Sequence, residues 1–167
     1  MNTRYLTKAS LIAAIYIVLI LVQTLPFPVA SLTFGPIQLR IAEGLVLLPM
    51  VEAAAVPGLF VGVLISNFLL APASGFGLVD IIGGSLVTLI AAVLTSKARF
   101  KISAMIPPIL LNAFIVSIWV SYFTKIPYLY TVLGIGVGEF ISVVVFGSVI
   151  LYVYEKAKKN YREWYDE

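Results

Sequence analysis

Neither cysteine nor histidine occurs in this chain of 167 residues, and charged side chains make up only 11% of it. Without thiols there are no disulfide bridges and no thiolate nucleophile. Without imidazole, the usual general base at neutral pH and the usual zinc ligands are also gone. The phosphate-cradling pattern G-x-x-x-x-G-K-[ST] is missing, as is H-E-x-x-H, so the chain has no machinery of its own for hydrolysing ATP and no zinc-protease site. We expect no catalytic residue, no metal, no cofactor and no nucleic-acid partner. The sparse charge stands against 61% apolar residues and a mean hydropathy of +1.07. Too little polar surface remains to cover a water-soluble globule of this size. What is there is a chain suited to a bilayer.

A helical span takes about 20 residues, so the length suits one integral membrane domain over 1–167, an all-α bundle of six transmembrane helices. The spans are expected at about 5–27, 37–54, 58–71, 79–96, 103–123 and 128–156, with a short polar tail at 157–167. Prolines and glycines punctuate them: Pro26 and Pro28 end the first, Gly35-Pro36 precedes the second, and Val56-Pro57-Gly58 turns into the third. Pro72, Ser74, Gly75 and Gly77 mark a loop, and Pro107-Pro108 falls in the first turns of the fifth span, where proline is tolerated. The apolar start LIAAIYIVLILVQTL is longer than a signal-peptide core and has no small-residue cleavage site behind it, so it reads as a retained first helix.

Placing both termini in the cytoplasm puts Arg4, Lys8, Lys97, Arg99, Lys101, Lys156, Lys158, Lys159 and Arg162 inside. Of the 11 basic residues, only Arg40 and Lys125 are left outside. The 28–36 loop, the 72–78 loop and the 125–127 turn then share the outer face, where a pocket can open.

Ionisable groups inside a span are costly and mark function by default. Four stand out: Arg40, Glu43, Asp80 and Glu139. Arg40 and Glu43, three apart, share one helical face and either neutralise one another or serve a ligand. Asp80 opens the fourth span, where an N-terminal cap accounts for it alone. Glu139 has no such excuse, lying roughly 16 Å along the sixth helix among Gly134, Gly136 and Gly138. Something polar must face it. Asn67, Asn112, Trp119 and Tyr122 on other spans are the candidates for an aromatic-walled polar site; alternatively the amides bond between helices and the aromatics belong to the interfacial belt. Glu52, beside a turn, reads as a solvated cap. The glycine-rich GIGVGE at 134–139 and the pair Gly58 and Gly62 read as close helix packing rather than as a nucleotide loop.

The stretch FGPIQLRIAEGLVLLP, then AAAVPGLFVG, SN and GLVDIIGGSLVTLIAA closely resembles the QueT family, substrate-binding S components of energy-coupling factor (ECF) transporters. The likeness spans about residues 5–155. It implies a six-helix S component at the cell membrane, not an enzyme itself, that binds a queuosine precursor, a 7-deazaguanine. It also implies partners: a membrane coupling subunit and two ATPase subunits. The family's small-residue motif corresponds to Ala9-Ser10-Leu11-Ile12-Ala13, which would set Ala9 and Ala13 on one face for the coupling subunit. A guanine-like edge offers two adjacent N–H donors that one carboxylate, such as Glu139, accepts in parallel. An aminomethyl-bearing precursor adds a cation for Glu43 or Asp80, with the ring stacked on Trp119 or Tyr122. The other classes consistent with the residues are a solitary proton- or ion-coupled carrier, with Glu139 and Asp80 as relay carboxylates, and an S component for another vitamin-like substrate.

Overall fold

The described residues form six helices, five of them long and apolar enough to cross a membrane. The computed structural model describes residues 3–24, 33 and 37–166, with side chains described up to residue 160; the expected 28–36 loop and the end of the first span therefore lie outside the described residues, apart from Thr33. In chain order the helices are α1 (Thr3–Thr24), α2 (Ile41–Met50), α3 (Ala55–Ser74), α4 (Val79–Ser96), α5 (Lys101–Thr124) and α6 (Tyr128–Asp166). No strand occurs among the described residues. Large apolar side chains such as Val18, Val22, Phe68, Ile118, Leu129 and Phe140 stay exposed on the outer sides of the helices. That is a liability in water and a requirement in lipid.

Three expected boundaries are corrected. The second span is not a transmembrane α-helix over 37–54. Residues 38–40 are non-helical, Arg40 is extended (φ −125°, ψ 113°), and Ile41–Met50 forms a 3₁₀ helix. Pro49 lacks the N–H that an α ladder would use there, and Gly44 weakens helix formation further. The stretched 3₁₀ rise of about 2 Å per residue carries ten residues roughly 20 Å, where an α-helix would cover about 15 Å. The third helix is longer than expected, because Pro57 sits in its first turn rather than before it and Pro72 lies inside its last. The polar tail continues the sixth helix to Asp166 instead of leaving it.

Close approaches at glycine hold the layers together. A β-carbon at Gly58 would lie 2.7 Å from the Ala9 carbonyl oxygen, and one at Gly62 would lie 3.0 Å from Tyr16 Cβ and 3.2 Å from Ala13 Cα, so α1 and α3 touch backbone to backbone. Ala13 is buried in that contact. On the other side, Gly44 of α2 meets Gly147 of α6, where an added β-carbon would come within 3.0 Å of the facing backbone nitrogen. The GIGVGE run is close packing rather than a nucleotide loop, but at Gly138 the neighbour is the non-helical Gln38 backbone, directly above it, rather than another helix.

At the end of the bundle that carries most of the basic residues, Glu52 is a hub rather than a solvated cap. Lys8 Nζ lies 2.5 Å from its Oε2, the Tyr154 hydroxyl donates to the same oxygen at 2.6 Å, and the Ala54 N–H donates to Oε1 at 3.3 Å. The turn between α2 and α3 is thereby pinned to α1 and α6. Burial pushes the Glu52 carboxyl up, but the hydrogen bonds from Lys8, Tyr154 and Ala54 outweigh it and hold the group below the usual carboxylate range. A depressed folded value means stabilisation that is complete above the unfolded value of about 4.3 and is lost as pH falls through the lower folded one. The melting temperature should therefore drop on acidification below about pH 4.3, and Glu52→Gln should flatten that part of the profile. Parallel profiles for the two proteins would remove Glu52 from this role.

Candidate functional site

Alternating helix directions bring the end of α3, the start of α4, the end of α5 and the first half of α6 to one end of the bundle, opposite Glu52. The polar side chains of the interior collect there. Arg40, Glu43, Asn67, Asp80, Asn112 and Glu139 are all buried, and Trp119 is 9% exposed. The π-turns of three helices lie within this layer: Val79–Gly84 holds Asp80, Asn112–Val116 begins with Asn112, and Ser142–Gly147 starts three residues after Glu139. Such turns gather at functional sites in helices, because they re-aim side chains within an otherwise regular ladder.

Each carboxyl group is held by a donor from a different helix. The Tyr16 hydroxyl of α1 donates to Glu43 Oε1 at 2.6 Å, and Arg40 Nη1 approaches the same oxygen at 3.9 Å. Trp119 Nε1 of α5 donates to Asp80 Oδ1 at 3.2 Å. Asn112 Nδ2, also on α5, donates to Glu139 Oε1 at 3.0 Å. Glu43 Oε2 and Asp80 Oδ2 are buried with no hydrogen-bond partner among the described residues. Arg40 lies within electrostatic reach of Glu43, Asp80 and Glu139 together, and Glu43 and Glu139 lie in one another's field. The site thus sets three carboxyl groups against one guanidinium. Gln38 Nε2 is a buried donor likewise without a partner among the described residues, and the excess of carboxyl groups over cations complements a ligand that carries several N–H groups or a positive charge.

The scaffold around these groups is equally specific. Asn67 Nδ2 donates to the Asp80 carbonyl at 2.7 Å, in a space that exists because residue 84 is glycine: a β-carbon there would lie 2.9 Å from that nitrogen. Arg40 is fixed along its length, with its N–H donating to Ser142 Oγ at 3.1 Å and its Nε to the Thr33 carbonyl at 3.0 Å. Gln23 ties the end of α1 to the same segment, donating to the Leu39 carbonyl and accepting from the Ile41 N–H at 2.9 Å.

Of the residues singled out in the sequence, seven come together and one does not. Tyr122 is 68% exposed, edge-on to Phe123 with Lys125 Nζ 4.5 Å above its ring, so it stands outside the cluster. Its burial could not be read from its position alone, since an aromatic near a helix end serves the interfacial belt equally well. Asp80 does not cap its helix; no side-chain cap bond is present, and its carboxylate meets Trp119 instead. Arg40 and Glu43 pair, but across the start of a 3₁₀ helix rather than along an α-helical face. Tyr16, Gln23, Gln38 and Ser142 were missed. Gln23 carried a signal, being an amide in an otherwise apolar helix, whereas Tyr16 carried none among nine tyrosines.

Comparison with known proteins adds the family. No curated protein and no solved structure matches the chain. Residues 6–156 match the family described as QueT transporter. That stretch takes in most or all of each described helix and every residue of the buried polar cluster, so this membrane protein belongs to the QueT transporter family.

Proposed function

We propose that this chain is the substrate-binding S component of an ECF-type importer, and that the buried cluster captures a 7-deazaguanine queuosine precursor at the outer face. The observation that carries the reading is the set of half-used carboxyl groups. Glu43 and Asp80 each keep one buried oxygen without a partner while the other is held by a neighbouring helix. A deazaguanine supplies matching donors: N–H groups along its pyrimidine edge, a pyrrole N–H and, in the aminomethyl precursor, an ammonium. Glu139 takes the guanine-like edge, Glu43 or Asp80 takes the ammonium, and Trp119 offers the ring a face. Asn67 and Asn112 act through the carboxyl-bearing segments they hold.

Both termini face the cytoplasm, so that the nine basic residues at 4–8, 97–101 and 156–162 lie inside, leaving Arg40 and Lys125 of the 11 outside. The membrane coupling subunit docks on α1, where Ala9 and Ala13 border an open groove of about 310 Å³ shared with Leu6, Ser10, Gly58 and Val61. Because Ala13 also packs on α3, a bulky residue there would disturb the bundle as well as the docking face. Two cytoplasmic ATPases supply the energy.

The test is mass spectrometry of small molecules retained by the purified chain, followed by calorimetric titration. A retained 7-deazaguanine and copurifying ATPase subunits are the expected results. A retained molecule of another class would replace the ligand, and pH-driven uptake by the chain alone in liposomes would replace the importer with a solitary carrier.

A further inference from the structure

Tyr16 lies on α1, outside every segment that points to a ligand, yet its hydroxyl reaches Glu43 Oε1 at 2.6 Å and its side chain is buried to 1% exposure. Its backbone is fixed too, because Tyr16 Cβ and the Ala13 backbone pack on Gly62 of α3 with no room for a β-carbon between them. Glu43 has a competing partner in Arg40, whose Nη1 stands 3.9 Å from that same Oε1. A guanidinium and a carboxylate prefer two parallel hydrogen bonds. The Tyr16 hydroxyl occupies Oε1 from the α1 side, and Oε2 stays buried without a partner among the described residues.

We infer that Tyr16 is a positioning residue, which holds Glu43 in the one orientation that leaves an acceptor oxygen for the ligand. This rests on the reading of the cluster as a ligand site. Removing the hydroxyl lets Glu43 close onto Arg40, and the site loses an acceptor without losing a residue that touches the ligand.

Two measurements on the full-length purified protein test it. In the first, 7-aminomethyl-7-deazaguanine is titrated into wild type, Tyr16→Phe, Glu43→Met and the double variant. Tyr16→Phe should weaken binding about tenfold to a hundredfold, the range set by one hydrogen bond to a charged group. In the Glu43→Met background the same change should have almost no further effect, because there is no carboxyl group left to orient. Independent, multiplying losses would overturn the inference. The second measurement needs no ligand: infrared spectra of the unliganded proteins identify the Glu43 carboxyl band by its loss in Glu43→Met. That band should move in Tyr16→Phe as the group changes partners, and an unmoved band would overturn the inference whatever the ligand proves to be. If wild type binds no deazaguanine, the ligand assignment fails, and the infrared result alone decides the role of Tyr16.

Discussion

Glu139→Gln should abolish tight binding of the ligand while leaving a protein that folds and melts like wild type, with a loss of about two to three orders of magnitude in affinity. Glutamine keeps the shape, and its carbonyl can still accept the Asn112 amide now bonded to Glu139 Oε1 at 3.0 Å. The second oxygen, however, becomes an NH₂. A ligand N–H that met a carboxylate would then meet another donor. A hydrogen bond to a charged group contributes about 1.5–3 kcal/mol, and a buried polar mismatch costs about 1–3 kcal/mol. Stability should not suffer, because the substitution keeps the Asn112 hydrogen bond and leaves no ionisable group buried at that position. Calorimetric titration beside a thermal melt decides the matter. Wild-type affinity in a sample with a native melt would return Glu139 to a packing role, with Asn112 as its hydrogen-bond partner.

A larger structural loss is expected from Gly138→Ala, one residue away. A β-carbon there would overlap the backbone carbonyl of Gln38, and backbone cannot give way as the tip of a side chain can. Alanine for glycine inside a helix ordinarily gains about 0.5–1 kcal/mol. Overpacking of about 1–3 kcal/mol or more works against that gain, and it wins here because the obstacle is fixed. Residues 38–40 must lift from α6, taking with them the Arg40 N–H that bonds Ser142 Oγ. Both melting temperature and ligand affinity should fall. Gly136→Ala is the control: its nearest neighbour would be Ala113 Cβ at 3.4 Å, an ordinary contact. Equal melting temperatures for the two variants would show that the 38–40 segment is not seated as described.

The contrast between these two glycines shows how much of the molecule was legible in the sequence. Both read as close packing, against a helix at Gly136 and against an extended segment at Gly138. Which of them lies under a backbone depends on where residues 38–40 run, and that depends on α2 being a 3₁₀ helix. Hydropathy over 37–54 reports only apolarity and cannot separate one helical ladder from another; Gly44 and Pro49 were the local clues. The long spans were legible because composition alone demands them. Glu139 was legible as needing a polar neighbour, with Asn112 one of four candidates, because a polar group inside an apolar helix has few others to choose from. For Asp80 the sequence left both a cap and a ligand contact open, because a carboxylate at a helix start satisfies the capping rule whether or not the cap bond forms. Tyr16 stayed hidden because its role comes from the helix it approaches rather than from its neighbours in the chain.

Along α6 the buried positions Thr131, Ile135, Glu139, Val143, Gly147 and Leu151 recur at every fourth residue. A regular α-helix turns about 100° per residue, so a stripe of period four drifts around its surface by about 40° at each step and would wind about 200° over the five steps from Thr131 to Leu151. The slower winding of the π segment Ser142–Gly147 runs the drift backwards for part of that length. With a uniform ladder, the phase that seats Gly147 against Gly44 and buries Leu151 would carry Glu139 round toward the side where Ile141 meets lipid. The local change of pitch keeps a single carboxyl group in phase with the interior of the bundle, out of the hydrocarbon.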